Sequence, residues 1–230
     1  MTTKLISKLS LLSLGLACVA AAGQAFGAED TLGDDNPFAS ESGLPLQYPP
    51  FDAVRNEHFL PAFRAGMAAQ RAEADAIASQ SAAPTFENTI LAMEVSGQLL
   101  NRVSSVFFAL SSAHTNDQIQ SVQQTVAPEL AAHDDAIVLN AALFARVQTL
   151  HASRHQLGLD AQAVRLIEQY HTDFVRAGAA LDEAQQTRLK QINAELALLQ
   201  TQFSQNVLNE VNASALVVDS REQLTGLDPA

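Results

Sequence analysis

The sequence predicts an all-α protein, built of antiparallel helical hairpins and closed by one long C-terminal helix. Three observations predict it. Apolar residues recur at steps of three and four through most of the chain after Pro50, alternation of the strand kind is nearly absent, and capping side chains stand just ahead of the periodic runs. The 230 residues leave room for one or two domains with a real core.

The first stretch, 1–27, reads as an export signal. Lys4 and Lys8 precede an apolar run from Leu9 to Ala22, and the small residues Ala25 and Gly27 follow at a cleavage spacing. The run is short for a spanning helix, and nothing after it is apolar enough to cross a bilayer. Cys18 closes a "GLAC" resembling a lipoprotein attachment site, but Gly15 stands where leucine is usual; the expectation is therefore cleavage and a periplasmic chain without lipid. Such a chain has no thiol, and so no disulfide, cysteine nucleophile or thiolate metal site.

Residues 28–50 are rich in Gly, Pro, Asp and Ser and read as an extended lead-in, with Phe38, Leu44 and Tyr48 to pin it onto the body. The helical region, 51–230, follows. Its first helix is expected over about Asp52 to Ser79, with Phe59, Phe63 and Met67 at four-residue steps and Pro61 tolerable only in a first turn. "APTFENT" breaks it at Pro84 and offers Thr85 as the next cap, with Asn88 three residues on. From there Leu91, Val95, Leu99, Val103, Phe107 and Leu110 make one stripe, expected to be a core face.

Asn116 and Asp117 open a helix that Pro128 should kink or divide. Asn140 caps a short helix that ends in "HASRH" and is closed by Gln156-Leu157-Gly158. Asp160 opens another, ending near Gly178. Asp182 precedes the longest, in which Leu189, Ile192, Leu196, Leu199 and Phe203 form a heptad seam for an antiparallel neighbour. "ALVVDS" beyond it reads as a single short strand.

Composition narrows the function. A formal charge of -12 with scattered arginines argues against nucleic acid as a partner. There is no Gly-rich phosphate loop and no G-x-S-x-G elbow. Two patterns suggest metal. His151 and His155 have the spacing of a zinc-protease helix, yet Ala152 stands where that motif needs its glutamate base, so helix-end capping is the simpler role. Glu168 and His171 form one Glu-x-x-His pair of the kind di-iron bundles use twice; Glu129 and His133 miss that spacing by one. The residues alone describe an exported, acidic helical body without a visible catalytic apparatus.

Longer blocks carry a more specific signal. "NPF" at Asn36–Phe38, "LPLQYPPFDAV" at Leu44–Val54, "HFLPAF" at His58–Phe63, "APTFENTI" at Ala83–Ile90 and "VAPELAAHDDAI" at Val126–Ile137 resemble the thimet-oligopeptidase family of zinc metallopeptidases. So does Arg165–Glu210, with "DFVRAGAAL" inside it, and the order of the blocks is most similar to the peptidyl-dipeptidase branch.

The resemblance implies a large helical enzyme that releases dipeptides from the C-termini of oligopeptides, using a zinc held by an H-E-x-x-H helix in its C-terminal half. No H-E-x-x-H occurs in this sequence. The expectation is therefore the N-terminal, channel-wall part of such an enzyme, inactive alone, with oligopeptides as partners of the whole enzyme and no zinc on this chain. No catalytic or metal residue carries over. Pro84, Thr85, Phe86, Glu87, Asn88, Thr89, Phe174 and Gly178 carry over as structural motif positions. The competing expectation is a stand-alone periplasmic binding protein that docks peptides or a partner through the Leu189–Phe203 seam.

Overall fold

The computed structural model describes residues 32–214 and 218–226. The proposed signal, Cys18, the first residues of the lead-in and the start of the proposed strand lie outside the described residues. Of that strand, Val218–Ser220 is not extended ladder; Ser220 instead begins a short 3₁₀ turn, Arg221–Leu224. The described residues are all-α: α1 (Asn56–Ala78), α2 (Ala92–Glu94), α3 (Gln98–Ala113), α4 (Asp117–Val138), α5 (Ala141–Ser153), α6 (Ala161–Arg176) and α7 (Glu183–Ala213).

The caps read from the sequence form as expected. Thr85 Oγ1 accepts from Asn88 N–H, and Asn116, Asn140, Asp160 and Asp182 each accept from backbone N–H groups of the first turn they precede. Each such cap satisfies donors that the helix itself leaves orphaned, worth about 1 kcal/mol apiece.

Four helices pack side by side. Phe59 and Phe63 of early α1 meet Phe107 of late α3 edge-on, with centroids 5.1 Å apart in both pairs, so α1 and α3 run antiparallel. Gly66 lets them close: a Cβ there would sit 2.9 Å from the Leu100 backbone. Asn56 reaches Gln118, and Gln70 reaches His133, so α4 runs parallel to α1. Against α4 lies α7, antiparallel, joined by Asn193 to Asp135 at one end and Gln205 to Gln120 at the other. Phe38 of the lead-in completes this core, 5.5 Å from Phe59, while Asn36 Nδ2 donates to the His58 carbonyl. Leu44 and Tyr48 do not pin the lead-in. Both side chains are exposed, Tyr48 only leaning on Phe51.

A second core joins the end of α1 to the α5–α6 hairpin through Ile77, Ile90, Leu143, Val147, Leu150, Ile167 and Phe174. The hairpin is antiparallel, since Phe144 stacks on Phe174 and Arg154 reaches Glu168.

Three expectations fail for identifiable reasons. Helix α1 begins at Asn56, four residues late, because the chain first turns at Pro50–Val54; Pro61 thus falls in the second turn, where the ring is carried inside the helix. Pro128 does not divide α4, which runs unbroken for 22 residues. The stripe from Leu91 to Leu110 is not one face. Phe86–Leu91 winds as a wide π-helical turn, α2 stops at Glu94, and Gly97 takes a left-handed φ of 71° to start α3. That break resets the helical phase and leaves Leu91 and Val95 exposed, while Val103 and Phe107 are buried. Glu73 Oε2 accepts from Gly97 N–H at 2.7 Å and holds the break against α1.

Candidate functional site

The block "PTFENT" builds a lock. Thr85 and Asn88 cap each other's backbone, Asn88 Nδ2 donates to the Ala83 carbonyl, and Asn88 Oδ1 also accepts from Thr89 Oγ1. Into this turn α5 inserts Arg146, only 6% exposed. Its Nε donates to Thr89 Oγ1, its Nη2 to Asn88 Oδ1 at 2.8 Å, and its Nη1 to the carbonyls of Gln80 and Ala82. A buried guanidinium is thus held by neutral acceptors that the motif presents. Pro84 leads into the turn, Phe86 packs on the second core and Glu87 faces water. Phe174 is buried there too, and Gly178 turns the chain with φ 95° from α6 toward α7. Arg146 is the residue sequence reading missed; an arginine amid the apolar positions of a capped short helix was its only signal.

The two histidine patterns meet each other. His151 ends α5, whereas His155 lies in the following 3₁₀ turn, Arg154–Gln156. His151 stacks on His171 of α6, centroids 3.8 Å apart and planes within 7°, and Phe144 and Phe174 extend the stack. Between the helix ends, Arg154 donates to the His151 carbonyl and to Glu168 Oε1. The Arg154 hydrogen bond holds the Glu168 carboxyl below its usual range. Burial first, then the His171 ring and Arg154, pushes His151 down. Parallel stacked imidazoles aim their nitrogens alongside one another, a poor arrangement for a shared ion.

The third pair separates. Glu129 turns out to Arg64, 2.7 Å away, while His133 is buried with Nε2 against Gln70 Oε1 and Nδ1 without a partner. Burial, with Arg71 nearby, lowers His133 to about 4. Among the described residues no three His, Cys, Asp or Glu side chains stand together as metal ligands. The stacked, paired and buried settings of His151, His171 and His133 do not fit the zinc that the resemblance implies.

Beside Gln70 opens a cleft of about 320 Å³ between α1, α4 and α6, walled by Met93, Leu166 and Phe174. Tyr170 donates to Glu94 Oε1 across its mouth at 2.6 Å, and burial with that bond raises the phenol well above its ordinary range.

The largest unsatisfied feature is a surface. Ile192, Leu196, Leu199, Phe203, Val207 and Val211 fall within about 120° of the α7 circumference at 3.6 residues per turn. All are exposed, Leu199 by 51% and Phe203 by 70%. The seam expected to bury against a neighbour therefore faces outward. What α7 presents to α4 is polar and small: Asn193, Ala197, Thr201 and Gln205. A stripe of six large apolar side chains on one helix marks an interaction surface rather than scattered exposure. Among the described residues no helix is long and apolar enough to cross a membrane.

No family profile matches the chain. It is 47% identical to dipeptidyl carboxypeptidase of Salmonella typhimurium over 194 residues, which are 84% of this chain and 28% of that protein. It is equally similar to dipeptidyl carboxypeptidase of Escherichia coli, 47% over 192 residues. Oligopeptidase A of Haemophilus influenzae is 28% identical over 192 residues, again 28% of that protein. The chain thus spans little more than a quarter of the length of these curated relatives. The chain is similar to dipeptidyl carboxypeptidase over most of its own length, and more distantly to oligopeptidase A.

Proposed function

We propose, with kinship to dipeptidyl carboxypeptidase as the premise, that this chain is the non-catalytic helical wall of an exported zinc peptidyl-dipeptidase that removes C-terminal dipeptides from oligopeptides. The 47% identity across the helical body is the observation that carries this reading. The lock around Arg146 and the two cores give a scaffold, and the α7 stripe is the face on which the remainder of such an enzyme packs. An exposed apolar face of this kind marks an interaction site. The chain by itself cleaves nothing, because its sequence holds no H-E-x-x-H helix to carry the zinc and the base.

Two assays test it. The purified 230-residue protein, given an oligopeptide with a free C-terminus and added zinc, releases no dipeptide. Mixed with the complementary part of the related Escherichia coli enzyme, it restores release that a chelator abolishes. Chelator-sensitive cleavage by the chain alone would overturn the inactive-wall reading; failure to associate with the complementary part would overturn the docking role of α7.

The exposed stripe also supports a second reading, a stand-alone partner-binding protein. In that case Leu196→Asp abolishes capture of a cellular partner that is unrelated to any peptidase.

A further inference from the structure

The lead-in and α3 line a cavity of about 220 Å³ to which no residue of α7 contributes. Pro49, Pro50, Phe38 and Val106 wall it; α3 adds the polar Asn101, Arg102 and Ser105, and the lead-in adds Ser40, Ser42 and Gln47. Arg102 is the exceptional group. Its Nη2 donates to the Phe38 carbonyl at 3.3 Å, its Nε–H is buried without an acceptor, and among the described residues no carboxylate stands within ion-pair distance of it. A guanidinium half withdrawn from water and lacking a counter-charge is costly to hold, and in a chain of net charge -12 it is an isolated positive point.

The cavity wall is also strained. Leu46 and Gln47 both take left-handed backbone angles, φ 57° and 56°, without being glycine. Gln47 lines the cavity, and the turn is pinned by Ser42 Oγ–H donating to the Tyr48 carbonyl and by Gln47 Nε2 donating to Glu41. Such angles persist where the surroundings over-determine them and cluster at ligand clamps. Lock-and-core packing, which explains Arg146, does not explain Arg102.

We propose that this cavity binds a small organic carboxylate with a compact apolar body, the carboxylate pairing with Arg102 and the body lying on Pro49, Pro50 and Val106. The volume is below the ~300–1,000 Å³ of drug-sized sites, which restricts the ligand to a short chain or a single ring. The site does not depend on the peptidase reading and lies apart from the α7 stripe.

The test is a titration of the full 230-residue chain at pH 7 with hexanoate, hexanol and hexylamine, followed by saturation-transfer NMR. Hexanoate binds saturably with a dissociation constant of about 1 mM, the range open to so small a ligand; hexanol and hexylamine do not saturate. Arg102→Gln weakens hexanoate at least tenfold. Ser105→Leu changes an exposed side chain that lines the cavity and fills the space, so it blocks binding while helical circular dichroism stays unchanged; it decides the matter if Arg102→Gln disturbs folding. Equal hexanoate binding by wild type and Ser105→Leu, or none to about 20 mM, would overturn the assignment. Equal binding of hexylamine would overturn the role of Arg102, and full competition by equimolar inorganic phosphate would overturn the apolar selectivity.

Discussion

Replacing Arg146 by Met keeps an unbranched chain of similar reach but removes all four hydrogen bonds that the guanidinium gives to Thr89, Asn88, Gln80 and Ala82. Each bond from a charged donor is worth about 1.5–3 kcal/mol. They do not simply add. The carbonyls of Gln80 and Ala82 belong to exposed residues and regain water, and Thr89 keeps its bond to Asn88; burying a guanidinium is itself costly, and Met removes that cost. The net expected loss is about 2–4 kcal/mol, which for a body of this size lowers the melting temperature by roughly 4–16 °C. Urea unfolding followed at 222 nm measures it, with Asn88→Ala and the double variant completing a cycle. Because Asn88 Oδ1 accepts directly from Arg146, the two changes should be non-additive by about 0.5–3 kcal/mol. A loss under about 0.5 kcal/mol for Arg146→Met, or simple additivity with Asn88→Ala, refutes the lock.

Gly66→Ala improves helix propensity by about 1 kcal/mol, yet its Cβ meets the Leu100 backbone, so the urea midpoint should fall, the overpacking costing about 1–3 kcal/mol; a raised midpoint would show that α1 and α3 separate freely. Leu199→Asp with Phe203→Asp alters only exposed positions and should leave helix content unchanged while abolishing self-association and dye binding of the isolated chain by analytical ultracentrifugation and fluorescence. A dispersed, dye-silent wild type contradicts that expectation. His133 holds its proton only to about pH 4 when folded but to about 6.5 when unfolded, so its contribution is complete above pH 6.5 and is lost as pH falls toward 4. His133→Gln should flatten the stability profile across that window; an unchanged slope removes His133 as its source.

Local signals were legible and long-range ones were not, and particular residues show the boundary. Thr85, Asn116, Asn140, Asp160 and Asp182 cap where the sequence places them, because a cap is a contact between a side chain and an N–H two or three residues away. Gly97 was visible as a glycine, but the break it makes is held by Glu73, which lies 24 residues earlier and is brought close only by the return of the chain along α1. The pairing of His151 with His171 is likewise set by the hairpin, and neither histidine pattern contained its partner.

The amino-acid sequence alone therefore determined the helical class, the five side-chain caps, the acidic balance and the resemblance to dipeptidyl carboxypeptidase, all of which reside in short-range patterns or in residue identity. Tertiary structure decided which face of each helix is buried. In α7 the periodicity marks an apolar stripe without saying which neighbour it meets; α4 offers Asp135, Gln124 and the Gln120 carbonyl, so Asn193 and Gln205 turn inward to satisfy them and the leucines are left outside. Burying a polar group unpaired costs more than leaving an apolar side chain wet, and that inequality, evaluated against the partner helix, sets the orientation.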